Sequence, residues 1–285
     1  VSRRHDAVTE RFLRIARTLP ETLLSGEDSN ALEREILVGL GAVEDERLLG
    51  YYTVEGITAA FEAYGIFDLL RARGYQRFEI SFDLQDFTHG LKILADDTVV
   101  ADCRLRRSRG AKDPCFAEFQ RHFVPELLDI EWLALHDPRQ TFTADRPQLP
   151  GQQHPGSGIG HEVFVLLYIS ARRLGLHGII EVPERFHNAV FYRRRTHFLD
   201  PVFHGCFEAL CELVDHHPLS EVAWALEEDR VIDARTQAPI RWAPREQMGI
   251  IDHRLDDYFE LPAWRRARNE ARRACKPRIV PRPQA

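Results

Sequence analysis

At Tyr75 the spacing of apolar residues changes, and this constrains the fold more than any other feature of the chain. Upstream, Val8, Phe12, Ile15 and Leu19 recur at helical spacing and stop at Pro20. The stretch SNALEREILVGLG (29–41) carries a Ser/Asn cap candidate and ends in glycine. VEGITAAFEAYGIFDLLRARG then places Ile57, Phe61, Tyr64 and Leu69 at spacings of three to five before Gly74. Three helices are expected over residues 1–75. From Tyr75 the period becomes two: Phe78, Ile80 and Phe82 alternate with Glu79, Ser81 and Asp83, the pattern of a half-buried strand. HGLKILADDTVVADCRLRR reads as two strands joined at Asp96–Asp97, a hairpin turn. An antiparallel sheet begins here.

After a linker carrying Phe116, Phe119 and Phe123, LLDIEWLALHDP reads as another strand, with Asp129, Glu131 and Leu133 on one face and Ile130, Trp132 and Ala134 on the other. A polar, proline-bearing loop from Asp137 to Gln153 follows; a loop this long covers something or moves. The apolar run VFVLLYI fits either a strand or a helix by composition. Length decides for a helix from Ile159 to Leu174, with Arg172 and Arg173 in the last turn and Gly175 beyond. GIIEVPE reads as a short strand, RFHNAVFYRRRTHFLDP and CFEALCELV as helices, SEVAWALEEDRVIDARTQAPIRWAP as a hairpin, and DDYFELPAWRRARNEARRACKPR as a basic helix.

Between the strand and that apolar helix lies QQHPGSGIGH (152–161), with glycines at 156, 158 and 160. A helix N-terminus presents unsatisfied N–H groups and a partial positive charge, and glycines let an anionic group approach the main chain. The run lacks the Lys-Ser/Thr of GxxxxGK[ST], misses the GxGxxG spacing and follows a polar segment, so both common nucleotide fingerprints fail. It does satisfy Q/R-x-x-G-x-G/A through Gln153, Gly156 and Gly158. On this motif and the element order over about 76–243, the chain resembles the GNAT superfamily of acyl-CoA-dependent N-acyltransferases.

That resemblance implies an α/β (α+β) fold: a mixed, largely antiparallel sheet flanked by helices over residues 76–245, behind the helical region 1–75 and before a C-terminal helix and tail at 246–285. It implies acetyl-CoA or another acyl-CoA as co-substrate, its pyrophosphate held by Gln153, His154, Gly156, Ser157, Gly158, Ile159 and Gly160, and no metal. The acceptor would be the amine of a small molecule or a protein. Glu131, on the strand flanking the acyl group, is the candidate base, and its other reading is an arginine partner on a solvated face. Tyr192 is the candidate acid for the thiolate, and its other reading is an aromatic packed into the core. Two departures stand out. Seventeen residues separate Leu135 from Gln153 where the family has almost none, and anchoring on Phe198 puts Arg193 rather than Tyr192 in the place of the family's tyrosine. The alternative is a non-catalytic protein that uses the same architecture to bind a ligand or partner.

Composition excludes other classes. Apolar residues make up 44% and charged residues 29%, ordinary for a globular chain, and a net charge of −6 gives no specific nucleic-acid signal despite the Arg193–Arg195 run. No apolar stretch is long enough for a membrane helix and no signal-peptide pattern opens the chain, so a cytoplasmic location is expected. Oligomeric state is left open. The five cysteines form no CxxC pair, and Cys206 and Cys211 read as small core residues. Among the histidines, His161–Glu162 fails to extend to HExxH because position 165 is valine, and His216–His217 are adjacent. Ser157 lies in GSG rather than GxSxG, which removes the hydrolase reading.

Overall fold

The computed structural model describes residues 2–26, 46–85 and 87–282. The helix expected at 29–41 lies outside the described residues. Seven strands form one mostly antiparallel sheet flanked by helices, the α/β (α+β) class expected. They are β1 (Phe78–Leu84), β2 (His89–Ala95), β3 (Thr98–Arg109), β4 (Glu126–Leu135), β5 (Gly178–Glu181), β6 (Thr196–Phe198) and, after the short β7 (Val231–Asp233), β8 (Gln247–Ile250). The order across the sheet is β1-β2-β3-β4-β5-β8-β6, while β7 pairs with β9 (Pro277–Ile279) in a separate two-stranded ribbon.

The chain divides into two compact units. The first comprises Val1–Arg107, Ile130–Gln140 and Gly156–Gly175. Its helices are α1 (Ser2–Thr18), α2 (Glu21–Ser25), α3 (Val54–Tyr64), α4 (Ile66–Arg71) and α5 (Gly160–Arg173). Thr53 caps α3 by accepting the Gly56 N–H at 3.0 Å. Gly65, at φ +77°, breaks the third expected helix into α3 and α4. Ile80 faces Ile93 and Phe82 faces Leu91 across β1–β2, so the apolar alternation sets the register. Asp96 and Asp97 take φ +48° and +65°, the left-handed pair a tight hairpin demands, and Asp96 also accepts the Arg77 N–H at 2.8 Å. Helix α1 lies along α5, with Phe12 fully buried and Arg173 donating to the Ala16 carbonyl at 2.9 Å.

The second unit comprises Ser108–Asp129, Thr141–Pro155 and Leu176–Ala285. Besides a single turn at Ala117–Gln120, its helices are α6 (Phe186–Tyr192), α7 (Pro201–Leu213), α8 (Leu219–Glu227), α9 (Asp256–Glu260) and α10 (Pro262–Ala274). Every residue of β5 is buried. One core gathers Phe116, Leu127, Ile180, Met248, Tyr258 and Trp264; a second gathers Phe186, Phe198, Phe207, Val222 and Leu226. Helices α7 and α10 pack so closely at Gly205 that a Cβ there would collide with the Arg268 carbonyl.

Three segments differ from their expected form. The helix expected over RFHNAVFYRRRTHFLDP ends at Tyr192: Arg195 N–H and the Thr196 hydroxyl both bond the Tyr192 carbonyl, and Thr196–Phe198 pairs with β8 instead. The expected hairpin SEVAWALEEDRVIDARTQAPIRWAP is half helix. Val222, Ala223, Ala225 and Leu226 bury one face of α8, and only 231–240 folds back, with Ile240 N–H donating to the Val231 carbonyl. The basic C-terminal helix is two, because Pro262 restarts it at its first turn. Among the described residues no helix is long and apolar enough to cross a membrane, and no group of three or more His, Cys, Asp or Glu side chains is placed to hold a metal ion.

Candidate functional site

The glycine run begins where β4 stops. His136 and Gly156 form an isolated antiparallel bridge, and the Ser157 N–H donates to the Leu135 carbonyl at 3.3 Å. The residues between them are therefore an excursion, and the gap in sequence disappears in space. Within the excursion, Thr143 and Arg146 pair in a turn, the Gln152 side chain accepts the Leu149 N–H at 3.0 Å, and the Trp224 indole donates to the Gln148 carbonyl at 2.9 Å.

Three features converge on the head of α5. Ile159 occupies the N-cap position, so no side chain caps the helix there, and the buried Glu162 is the only acid of its first turn. Ser157 is 1% exposed, and its Oγ has no hydrogen-bond partner among the described residues. Gly158 adopts φ +69° and is exposed, and a Cβ on it would collide with the Arg73 guanidinium. Gly156 is less demanding, since its Cβ would sit at an ordinary 3.6 Å from the Leu135 carbonyl oxygen.

Arg73 follows α4, in the turn that leads to β1. Its Nη1 lies 4.0 Å from Oδ2 of Asp137, which is fully buried. The other oxygen of Asp137 accepts the Tyr75 hydroxyl at 2.7 Å and the Arg139 N–H at 3.2 Å. Burial and this carboxylate push the Tyr75 phenol up to about 12. Arg139 stacks over the Tyr75 ring at 4.2 Å and bonds Asp96 at 2.9 Å. Neither Arg73 nor Asp137 stood out in the sequence, and Tyr75 did so only as the point where the period changes, because an Arg in a last helical turn and an Asp before Pro138 are ordinary helix-end and turn residues.

The other expected residues are placed as follows. Gln153 and His154 are exposed on the approach to the glycines, and Ile159 is fully buried beneath them. Glu131 is engaged twice, by Arg106 Nε at 2.9 Å and by the Thr88 hydroxyl at 2.9 Å. Tyr192 is the half-buried last residue of α6. Arg193 and Arg194 line a cavity of about 330 Å³ in the second unit, with His197, His204, Glu208 and Cys211. Burial lowers both histidines, His204 to about 3, and His204 Nδ1 accepts the Phe198 N–H at 3.1 Å.

One further buried acid escaped the sequence reading. Glu181 sits on β5 opposite Gln247 of β8. Among the described residues its Oε1 and both polar atoms of the Gln247 side chain have no hydrogen-bond partner, and burial pushes its carboxyl up to about 8. Its signal was available only as an acid inside a β-branched strand. Comparison with known proteins finds no protein-family model and no curated protein that matches the chain.

Proposed function

We propose that the chain is an acyl-CoA-dependent N-acyltransferase of the kind it resembles, moving an acyl group, acetyl foremost, from acyl-CoA to an amine of a small molecule or a protein. The observation that supports this reading is the return of the glycine turn to the end of β4, at the head of a helix that no side chain caps. The fit of the residues to a pyrophosphate is specific. Gly158 exposes main chain, Ser157 holds an unpartnered hydroxyl, and the dipole of the fourteen-residue α5 favours negative charge. Gln153, His154, Gly156, Ile159 and Gly160 complete the loop in this reading.

In the proposed reaction the acceptor amine attacks the thioester carbonyl directly. Glu131 takes the amine proton, itself or through water, once Arg106 and Thr88 yield a lone pair, and that proton is returned through water to the leaving thiolate. The prior engagement of Glu131 favours a second reading, in which the same architecture binds a ligand or partner without turnover.

Two measurements separate these readings. Coenzyme A at a hundred times its Kd should add about 2.7 kcal/mol of apparent stability, seen as a thermal shift. Release of free thiol from acetyl-CoA, followed with a panel of amines, should show sustained turnover. A shift without turnover supports the binding protein; no shift removes the coenzyme reading.

A further inference from the structure

We propose that Arg73 is the cationic ligand for a phosphate or pyrophosphate group at the head of α5, and that Asp137 is the residue that positions it. The inference takes the identity of the anion from the coenzyme reading above, but the site itself stands on separate geometry. The Arg73 guanidinium lies against the bare Cα of Gly158, where the backbone is left-handed at φ +69°. At 4.0 Å its pairing with Asp137 is close enough for attraction and too long for a hydrogen bond. Among the described residues its side chain makes no hydrogen bond, so its donors are held in place and left unspent.

Next to Gly158 in the chain, Ser157 Oγ, 1% exposed, has no hydrogen-bond partner among the described residues. A buried hydroxyl is ordinarily satisfied, and one left unpartnered next to the residue that Arg73 abuts points to a group not part of the chain. The chemistry of that group follows from its surroundings. A planar guanidinium recognises phosphate oxygens through paired donors, a serine hydroxyl donates to the same class of oxygen, and a helix N-terminus favours negative charge. Asp137 is itself locked by Tyr75 and Arg139, so it fixes the direction of Arg73 without neutralising its donors.

The test is calorimetric titration of the full chain with coenzyme A, inorganic pyrophosphate and pantetheine, the last free of phosphate. Arg73→Gln should weaken coenzyme A and pyrophosphate by about 10- to 100-fold, the weight of hydrogen bonds to a charged group, and leave pantetheine unchanged. Equal coenzyme A affinity in a folded Arg73→Gln variant would overturn the assignment of Arg73 and leave the coenzyme reading standing. Arg73-dependent binding of pyrophosphate without coenzyme A binding would do the reverse. Binding of neither by the wild-type chain would end both. Should the variant fail to fold, the wild-type protein decides: pyrophosphate should shield Arg73 from an arginine-selective dicarbonyl reagent, and unchanged labelling overturns the proposal.

Discussion

Glu181 makes this fold sensitive to pH between about 5 and 8, and its replacement by glutamine should remove that contribution. All four residues of β5 are buried, and the carboxyl stands in register with a Gln247 side chain whose own polar atoms have no partner. Nothing nearby compensates a negative charge, so burial holds the acid protonated up to about pH 8, against 4.5 for an exposed glutamate. Between those values the folded state binds a proton that the unfolded state has lost. Stability is therefore highest below pH 4.5 and falls as pH rises through 8, by about 1.4 kcal/mol per pH unit in the linear part of the window. From pH 5 to 7 the loss is about 2.5 kcal/mol, a large share of the 5–15 kcal/mol that holds an ordinary domain.

Glutamine has nearly the same shape and carries no charge at any of these values, so Glu181→Gln should follow the wild type at pH 5 and exceed it by about 2.5 kcal/mol at pH 7. Urea denaturation followed by tryptophan fluorescence at pH 5, 6 and 7 measures this directly. The difference between the two proteins isolates the group. The depressed histidines His187, His197 and His204 lose stability as pH falls below 6.5, and the Cys206 thiol, lowered by a hydrogen bond from the Cys275 thiol, acts in the opposite sense to Glu181. Both contributions cancel in the comparison. Curves for wild type and variant that stay parallel from pH 5 to 7 would refute the reasoning.

Gly158→Ala should displace the Arg73 guanidinium and place a side chain at φ +69°, reducing stability by about 1–2 kcal/mol and weakening coenzyme A, whereas Gly156→Ala should leave both nearly intact; denaturation and calorimetry compare them. Glu131→Gln should lower thiol release from acetyl-CoA at unchanged coenzyme A affinity, and equal rates would remove it as the base. Asp200 caps α7 by accepting the Val202 and Phe203 N–H groups at 2.8 and 3.1 Å, so Asp200→Ala should reduce unfolding free energy by about 1 kcal/mol in urea.

Local order was legible wherever one residue's neighbours in sequence are also its neighbours in space. The alternation Phe78, Ile80, Phe82 specified β1, the Asp96–Asp97 pair specified its hairpin partner's turn, and Gly175 specified where α5 ends, because dihedral preferences and apolar period act over a few residues. The glycines at the head of an apolar helix were equally plain. The same reasoning misread 220–244 as a hairpin, since Val222, Ala225 and Leu226 match a buried helix face only once the core they pack against exists.

Tertiary structure alone decided the rest. Nothing in the polar excursion after β4 announces that Gly156 returns to His136, since loop closure depends on where the two ends are held rather than on the residues between them. The meeting of Arg73 with Gly158 spans more than eighty positions, and the burial of Glu181 depends on what covers both faces of β5. Sequence by itself determined β1, its hairpin, α5 and the glycine run at the head of that helix. Only the packing of distant segments decided which charges stand beside that loop and which acid is kept from water, because electrostatics and desolvation act through space and leave no local period to read.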